Sequence, residues 1–328
     1  MHPLQDIPRS SPALVSFVIP LYNEEQVLPH LRGELEAFLA GFPSPVEIIL
    51  VDDGSTDGTP MGIHLWARED PRIKVLGLAR NFGHQNATTA GLDAASGEVA
   101  VILDADLQDP LELIPEMIAY YRRGYDVVYG WREAREGEGW FKRGSAWVFY
   151  RLMRLLVHRN LPIDAGDFRL ISRRCLDALL SMRETHRFLR GMVAWVGFPQ
   201  IGIPYRRRPR VAGVSKYPLI KMLQFALTAV SSFSPLPLRI SLAAGLGTAV
   251  FGVFYGLYAI WQSLHHNTVR GWTGEIILTS LFGGAILISN GLLGEYIAKI
   301  YEEAKDRPLY IVSSRVNFGQ KPAGNGQD

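Results

Sequence analysis

Two carboxylates separated by one residue follow a short apolar run. The segment VAVILDADLQD places Asp104 and Asp106 directly after this run. Carboxylates at a strand end suit Mg²⁺ or Mn²⁺, which bind oxygen, keep several waters and bridge to a diphosphate. A D-x-D pair is common by chance, so its meaning depends on what other segments bring to the same place.

Other predicted strands also end in polar residues. The residues at or just beyond these strand ends are Tyr22, Asn23, Glu24, Asp52, Asp53, Asp104, Asp106 and Arg132. In an open parallel sheet the carboxyl ends of the strands lie along one edge, and ligands bind there. The sequence therefore predicts one ligand site at this edge, built from several strands.

Five apolar runs separated by helical patterns would position these residues. The runs are LVSFVIPLY, VEIILVDD, IKVLGLA, VAVILDAD and YDVVYGW. They show little apolar–polar alternation, which is typical of strands buried on both faces of a mainly parallel sheet. No GxGxxG follows the first run and no GxxxxGK[ST] occurs, so the sheet does not resemble a dinucleotide-binding enzyme or a P-loop NTPase. We predict an α/β fold with helices on both faces of the sheet.

Length and composition limit the protein class. A chain of 328 residues suggests about two units. Its 48% hydrophobic and 20% charged residues exclude a disordered chain. The net charge of +2 gives no reason to expect a nucleic acid partner. A single cysteine, Cys175, excludes a disulfide framework and a multi-cysteine metal site.

Two long runs near the carboxyl end, 240–262 and 276–294, contain no charged residue. As helices they would be about 34 and 28 Å long, enough to cross a hydrocarbon core of ~30 Å. Basic residues flank the pair on its outer sides, so both termini are predicted to be cytoplasmic and the loop 263–275 external. Glycines within the runs would permit helix association and a homo-oligomer. The predicted location is the inner (plasma) membrane.

Two further segments, near 140–160 and 216–234, mix aromatic and leucine residues with basic ones. This composition is typical of helices lying in the membrane interface, with ordinary packing helices as the alternative. The predicted organisation is a flexible tail (1–13), a cytosolic sheet domain with the interfacial helices (14–235), a two-helix transmembrane domain (236–300) and a cytosolic tail (301–328).

Taken together, the motifs resemble one enzyme family. Their order is PLYNEE, VDDGSTDGT, RNFGHQNA, LDADLQDP, GDFRL and RPRVAGVSKYP. This order is similar to that of the family-two glycosyltransferases with the GT-A fold. Within them it resembles the polyprenyl-phosphate glycosyltransferases, namely the bactoprenol glucosyltransferase group and, more distantly, dolichol-phosphate mannose synthase. The resemblance implies a Rossmann-like GT-A sheet. It also implies transfer of one sugar, with inversion, from a nucleotide diphosphate to a polyprenyl phosphate.

The resemblance also implies roles for individual residues. The nucleoside pocket would contain Pro20, Tyr22, Glu24 and Asp53, and Asp104 would contact the ribose or uracil side. The Mg²⁺ or Mn²⁺ ion would be held by Asp106 with Gln108. The acceptor phosphate would be held by Arg207, Arg210 and Lys216, with Arg132 and Arg143 as further candidates for this phosphate or the donor diphosphate. The alternative for the basic loop is attraction to anionic lipid.

Asp167, in the segment GDFRL, has a catalytic role by the same resemblance. A phosphate monoester has a second pKa near ~6, so the acceptor is largely ionised at pH 7 and gains little from a base. Positioning and charge balance are therefore an alternative role. Without catalysis, Asp167 would cap a helix or pair with Arg169. The histidines show no metal-ligand spacing, and His84 is predicted to be a packing or surface residue.

We predict a membrane-bound, metal-dependent, inverting glycosyltransferase that moves glucose from UDP-glucose to undecaprenyl phosphate at the cytoplasmic face. Other donors stay open, namely those of an amino-arabinose derivative, galactose, N-acetylhexosamine or mannose, because no motif specifies the sugar pocket. A processive polysaccharide synthase is disfavoured because the sequence has no QxxRW and two predicted spans. A non-catalytic membrane scaffold is disfavoured because the D-x-D pair is intact.

Overall fold

The computed structural model describes residues 8–132, 165–206, 236–265 and 272–319. They divide into two compact units, each considered by itself. The first holds 8–132, 165–206 and 308–319, and the second holds 236–265 and 272–307. The predicted interfacial segments near 140–160 and 216–234 lie outside the described residues, so these helices stay a prediction.

Eight strands of the described chain form one sheet. They are β1 (Val15–Leu21), β2 (Val46–Asp52), β3 (Ile73–Leu78), β4 (Val99–Ile102), β5 (Val127–Arg132), β6 (Ala165–Ser172), β7 (Gln200–Tyr205) and β8 (Val312–Val316). Their order is β7-β5-β6-β4-β1-β2-β3-β8. Only β6 and β8 run antiparallel to their neighbours. The predicted mainly parallel sheet is confirmed.

Short helices connect the strands. They are α1 (Leu28–Leu39), α2 (Thr59–Glu69), α3 (His84–Ala94), α4 (Ile114–Arg122), α5 (Arg173–Ser181) and α6 (Leu189–Val196), with a 3₁₀ turn at Leu111–Leu113. Helices α1, α2 and α3 each join two consecutive parallel strands, as a parallel connection requires.

Both faces of the sheet are covered, as β1 illustrates. Every residue of β1 is buried. Phe17 belongs to one core cluster with Leu31 of α1 and Ile63 of α2. Val18 lies against Gly91 of α3, where a Cβ would clash with it. Because successive side chains of a strand point to opposite faces, α1 and α2 cover one face and α3 the other. This explains the missing alternation in the sequence.

Strand β8 was not predicted, because the sequence analysis counted 301–328 as a tail. It pairs antiparallel with β3, Val316 lying opposite Val75. Just beyond it, the Asn317 side chain donates hydrogen bonds to the carbonyls of Ala67 (2.6 Å) and Ile73 (2.8 Å). The strand, VSSRV, covers an edge and is half-buried at alternate positions only, which is a weak sequence signal.

Residues 8–13, also counted as tail, include an anchored arginine. The Arg9 guanidinium lies 3.0 Å from an oxygen of Asp126, whose side chain is 0% exposed. Arg174 and Ser172 also donate hydrogen bonds to Asp126. Burial alone would raise the pKa of Asp126, but the hydrogen bonds from Arg174 and Ser172 and the charge of Arg9 outweigh it and hold this pKa below its ordinary value.

This network predicts a pH-dependent contribution to stability. Because the pKa of Asp126 is lower in the folded than in the unfolded chain, its stabilisation is present above pH ~4 and is lost as pH falls through the folded pKa. We expect Asp126→Asn to lower the free energy of unfolding at pH 7 by about 1.5–3 kcal/mol, the range for hydrogen bonds to charged groups. When Tm is measured against pH, the difference in Tm between Asp126→Asn and the wild type should become smaller below pH ~4. Asp177→Asn, at an exposed ion pair, should change little. An equal gap at all pH values would contradict the account.

The second unit contains two long helices, α7 (Leu236–Leu264) and α8 (Trp272–Ala304). Their segments Ser241–Tyr258 and Leu281–Ala304 are long and apolar enough to span a membrane. Large apolar side chains such as Phe254 and Leu287 are exposed. The helices contact each other where Ser241 Oγ lies 2.7 Å from Ser289 Oγ. The sequence runs 240–262 and 276–294 fall within these helices.

Candidate active site

The edge formed by the carboxyl ends of the parallel strands collects the candidate residues. Strand β6 runs antiparallel, so its first residues lie at this same edge. Ile102 of β4 pairs with Arg169 of β6. Asp104 follows Ile102 by two residues and Asp167 precedes Arg169 by two, so both lie at the end of this strand pair. The D-x-D segment and the GDFRL segment, distant in sequence, are therefore neighbours.

The D-x-D segment lies in a turn. Strand β4 ends at Ile102, and Leu107 has a left-handed φ of 56°. The backbone N–H of Gln108 donates a hydrogen bond of 3.2 Å to Asp106 Oδ1. The chain therefore turns directly after β4, and Asp106 lies in this turn.

Negative charge is concentrated around Asp104. The pKa of Asp104 is raised to about 6, and burial is the largest cause. His84 lowers this pKa, whereas the negative charges of Asp109, Asp167 and Asp106 raise it further. Within the described residues, no three His, Cys, Asp or Glu side chains converge as a metal cage. One or two carboxylates suffice for a cation that takes its other ligands from a diphosphate and water. The residues present therefore fit a divalent cation shared with a substrate.

His84 is an exposed residue, in agreement with its prediction as a packing or surface residue, and it lies between two of these carboxylates. Its Nε2 is 3.6 Å from Asp104 Oδ1 and 3.7 Å from Asp167 Oδ2. Burial alone would lower the His84 pKa, but Asp167 and Asp104 outweigh it, so the pKa is raised. His84 begins α3 directly after β3, and this position at a strand end was the available sequence signal.

Arg190 was not predicted and holds Asp167. Its Nε donates to Asp167 Oδ1 at 2.8 Å and its Nη2 to Oδ2 at 2.9 Å. Burial alone would raise the pKa of Asp167, yet His84 and Arg190 hold it well below its usual range. The Arg169 guanidinium is 4.0 Å away, so the predicted Arg169 pairing is the looser one. Asp167 lies inside β6, while Ser172 caps the next helix, which excludes the helix-cap alternative.

Asp53 organises the loop between β3 and α3. Its carboxylate is 3% exposed and accepts hydrogen bonds from the amides of Phe82 (2.7 Å) and Gly83 (2.9 Å). Burial raises its pKa despite these bonds. The loop that precedes His84 is thereby fixed to the end of β2. The nucleoside contact implied for Asp53 stays a prediction.

The other predicted nucleoside residues follow β1. Pro20 is buried inside β1, whereas the Tyr22 side chain is 47% exposed at the strand end. The Glu24 amide donates to Thr59 Oγ1 at 2.8 Å, and Asn23 Oδ1 accepts from the Thr56 amide at 2.8 Å. These bonds join the loops after β1 and β2 and leave the Tyr22 ring accessible to a ligand.

The predicted acceptor residues lie largely beyond the described chain. Arg132 is the last residue of β5 and pairs with Tyr205, which places its backbone at the carboxyl edge. Arg143, Arg207, Arg210 and Lys216 are outside the described residues, so their roles stay predictions.

Comparison with known proteins decides the family. Residues 16–180 match the family described as Glycosyl transferase family 2. The uncharacterized glycosyltransferase YkcC of Bacillus subtilis (strain 168) is 42% identical over 93% of this chain and 95% of its own length. The chain belongs to glycosyltransferase family 2. This family 2 glycosyltransferase is also 38% identical to the bactoprenol glucosyl transferase of Shigella phage SfV, over 92% of this chain and 98% of the relative.

A solved structure similar to this family 2 glycosyltransferase is glucosyl-3-phosphoglycerate synthase from Mycobacterium tuberculosis, in complex with Mn²⁺, UDP and glucosyl-3-phosphoglycerate. It is 20% identical with a TM-score of 0.46, over 67% of this chain and 78% of that chain.

Proposed function

We propose that this family 2 glycosyltransferase transfers one glucose from UDP-glucose to a polyprenyl phosphate, with undecaprenyl phosphate as the natural acceptor. The observation that carries the proposal is the 38% identity to a bactoprenol glucosyl transferase over 92% of the chain. That extent includes most of the two long apolar helices as well as the sheet. Helices able to enter a bilayer suit an acceptor that resides there.

The reaction is a single displacement with inversion. A phosphate oxygen of the lipid forms a bond to C1 of glucose while the bond from C1 to the UDP oxygen breaks, and its electron pair leaves with UDP. Tyr22 offers an exposed ring to the nucleoside. Pro20, Glu24, Asp53 and Asp104 are the other residues proposed for the nucleoside pocket. Mg²⁺ or Mn²⁺, held by Asp106 with Gln108, would supply neutralisation of the leaving diphosphate. Arg132 would add positive charge at this edge.

A donor panel tests this proposal. Purified protein is incubated with undecaprenyl phosphate and separately labelled nucleotide sugars carrying glucose, galactose, N-acetylhexosamine, mannose or an amino-arabinose derivative. We expect label in the lipid fraction with UDP-glucose at a kcat/KM at least about tenfold above any other donor, the difference that ~1.4 kcal/mol of transition-state binding gives. A higher value for another donor would replace glucose in the proposal.

For the acceptor, we propose that Arg207, Arg210 and Lys216 clamp the lipid phosphate, with Arg143 as a further contact. Arg210→Ala should raise KM for undecaprenyl phosphate or lower kcat. The change should correspond to a free-energy loss of about 2–4 kcal/mol, as expected when one partner of a charge pair is truncated. Arg210→Lys should recover only part of the activity lost in Arg210→Ala, because lysine lacks the two-pronged guanidinium. Calorimetry should show unchanged UDP binding. Weakened UDP binding with an unchanged response to the lipid would move Arg210 to the donor site.

For location, we propose two spans in the inner membrane, with the sheet domain and both termini in the cytoplasm. The proposal is supported by basic residues on the outer sides of the pair, such as Lys299 and Lys305. A tag inserted between His265 and Thr273 should be accessible from outside intact spheroplasts, and a reporter after Asp328 should not. A protected loop tag would contradict this topology.

A further inference from the structure

Asp167 and Arg190 form a two-pronged ion pair at the candidate site. Both oxygens of Asp167 accept a hydrogen bond from the Arg190 guanidinium, at 2.8 and 2.9 Å. Asp167 is 13% exposed and Arg190 36% exposed at the side chain. Two parallel N–H···O bonds fix orientation as well as charge, unlike a single ion pair.

The helices that carry Arg190 and His84 are joined at this point. The Leu189 amide donates a hydrogen bond of 3.0 Å to Gln85 Oε1. Leu189 precedes Arg190 at the start of α6, and Gln85 follows His84 at the start of α3. This bond ties the start of α6 to the start of α3, and the Arg190 and His84 side chains both contact Asp167.

We propose that Arg190 is the positioning residue of Asp167, so that the two side chains act in sugar transfer as one unit and Asp167 does not act as a separate base. This rests on the proposed function, because the lipid phosphate is the nucleophile. That phosphate is already ionised at neutral pH and has little proton to give. A bare Asp167 beside Asp104 would instead repel the incoming anion. Arg190 offsets this charge and fixes the carboxylate that contacts His84.

A double-mutant cycle tests the proposal through kcat. Asp167→Asn and Arg190→Gln should each lower kcat by about 100-fold, the effect of losing positioning by about 1 Å. The double variant should lose no more than either single variant, because the two residues act as a unit. If Asp167 is an independent base, Asp167→Asn will cost far more than Arg190→Gln and the losses will multiply. That outcome would overturn the proposal.

Three further measurements separate positioning from general damage. Binding of UDP should stay within about twofold of wild type (~0.4 kcal/mol) in all variants, because Asp167 and Arg190 are not among the residues proposed to bind the nucleoside or the metal. Arg190→Lys keeps the charge without the fork, so it should recover only a small part of kcat; a wild-type kcat for it would overturn the proposal. Arg72→Gln breaks a similar pair with Asp70 just before β3, at the opposite edge, and should leave kcat unchanged.

The double variant is the control for folding, because it removes both charges and leaves neither of them unpaired. If Arg190→Gln does not fold, Arg190→Lys decides between the outcomes. The cycle is run with whichever nucleotide sugar the wild type turns over. Failure of the wild type with UDP-glucose therefore counts against the proposed function, and additivity in the cycle counts against the unit of Asp167 and Arg190.

Discussion

Replacing Asp106 with asparagine should lower kcat by at least about 1,000-fold while the protein stays folded. A carboxylate that holds a divalent cation contributes several kcal/mol through that cation's charge, and ~1.4 kcal/mol is a factor of ten. A neutral amide is a poor ligand for Mg²⁺ or Mn²⁺. The asparagine side chain keeps an Oδ1 that can accept the hydrogen bond from the backbone N–H of Gln108, so the turn should be preserved. Turnover of UDP-glucose and Tm are measured on the same preparation.

The matched control is Glu116→Gln, which neutralises an exposed carboxylate in the first turn of α4. It should leave kcat and Tm unchanged. EDTA should abolish turnover of the wild type, and added Mn²⁺ or Mg²⁺ should restore it. Full activity in excess chelator would contradict the metal assignment for Asp106 and Gln108.

Replacing Gly54 with alanine should destabilise the sheet domain by about 3 kcal/mol and weaken UDP binding. Gly54 has φ +69°, a conformation that costs an L-residue about 1–2 kcal/mol. Its Cβ would lie 2.5 Å from the Arg80 carbonyl carbon and 2.7 Å from the Asn81 nitrogen. Backbone cannot move as a flexible side chain does, and overpacking adds about 1–3 kcal/mol. The loop must shift, and Asp53 holds that same loop. Denaturant unfolding and UDP calorimetry measure both effects.

Gly33→Ala is the control for this substitution. Gly33 lies inside α1, and no atom is within 4 Å of its added Cβ. Alanine there should stabilise the protein by about 0.5–1 kcal/mol, because it is the better helix former. If Gly54→Ala and Gly33→Ala changed the free energy of unfolding and UDP binding equally, the close backbone approach at Gly54 would not be the cause of the effect.

Local pattern was sufficient to predict the sheet and the edge on which the site lies. The uninterrupted burial of β1 produces an apolar run without alternation, so the parallel sheet could be read from the sequence. The position of Asp104 and Asp106 followed from a general property of such sheets, that strand ends converge on one edge. No pairwise contact had to be known for either inference.

Contacts made through strand register could not be predicted. Asp167 lies near Asp104 because β6 inserts antiparallel beside β4, and the partner Arg190 comes from a helix after β6. Nothing in the spacing of GDFRL and the later segment FLRG specifies this pairing. Strand β8 was missed for a related reason, since its docking on β3 depends on a partner far away in the sequence.

The central claim is tested most directly by the product. Purified protein is given UDP-glucose, undecaprenyl phosphate and Mn²⁺, and the lipid fraction is analysed by mass spectrometry and ³¹P NMR. The account predicts a lipid heavier by one hexose and a phosphomonoester signal replaced by a phosphodiester. Because the donor glucose is α-linked, inversion predicts a β-glucosyl phosphate. A lipid phosphate that stays a monoester while UDP is released, or a lipid bearing several hexoses, would contradict the account.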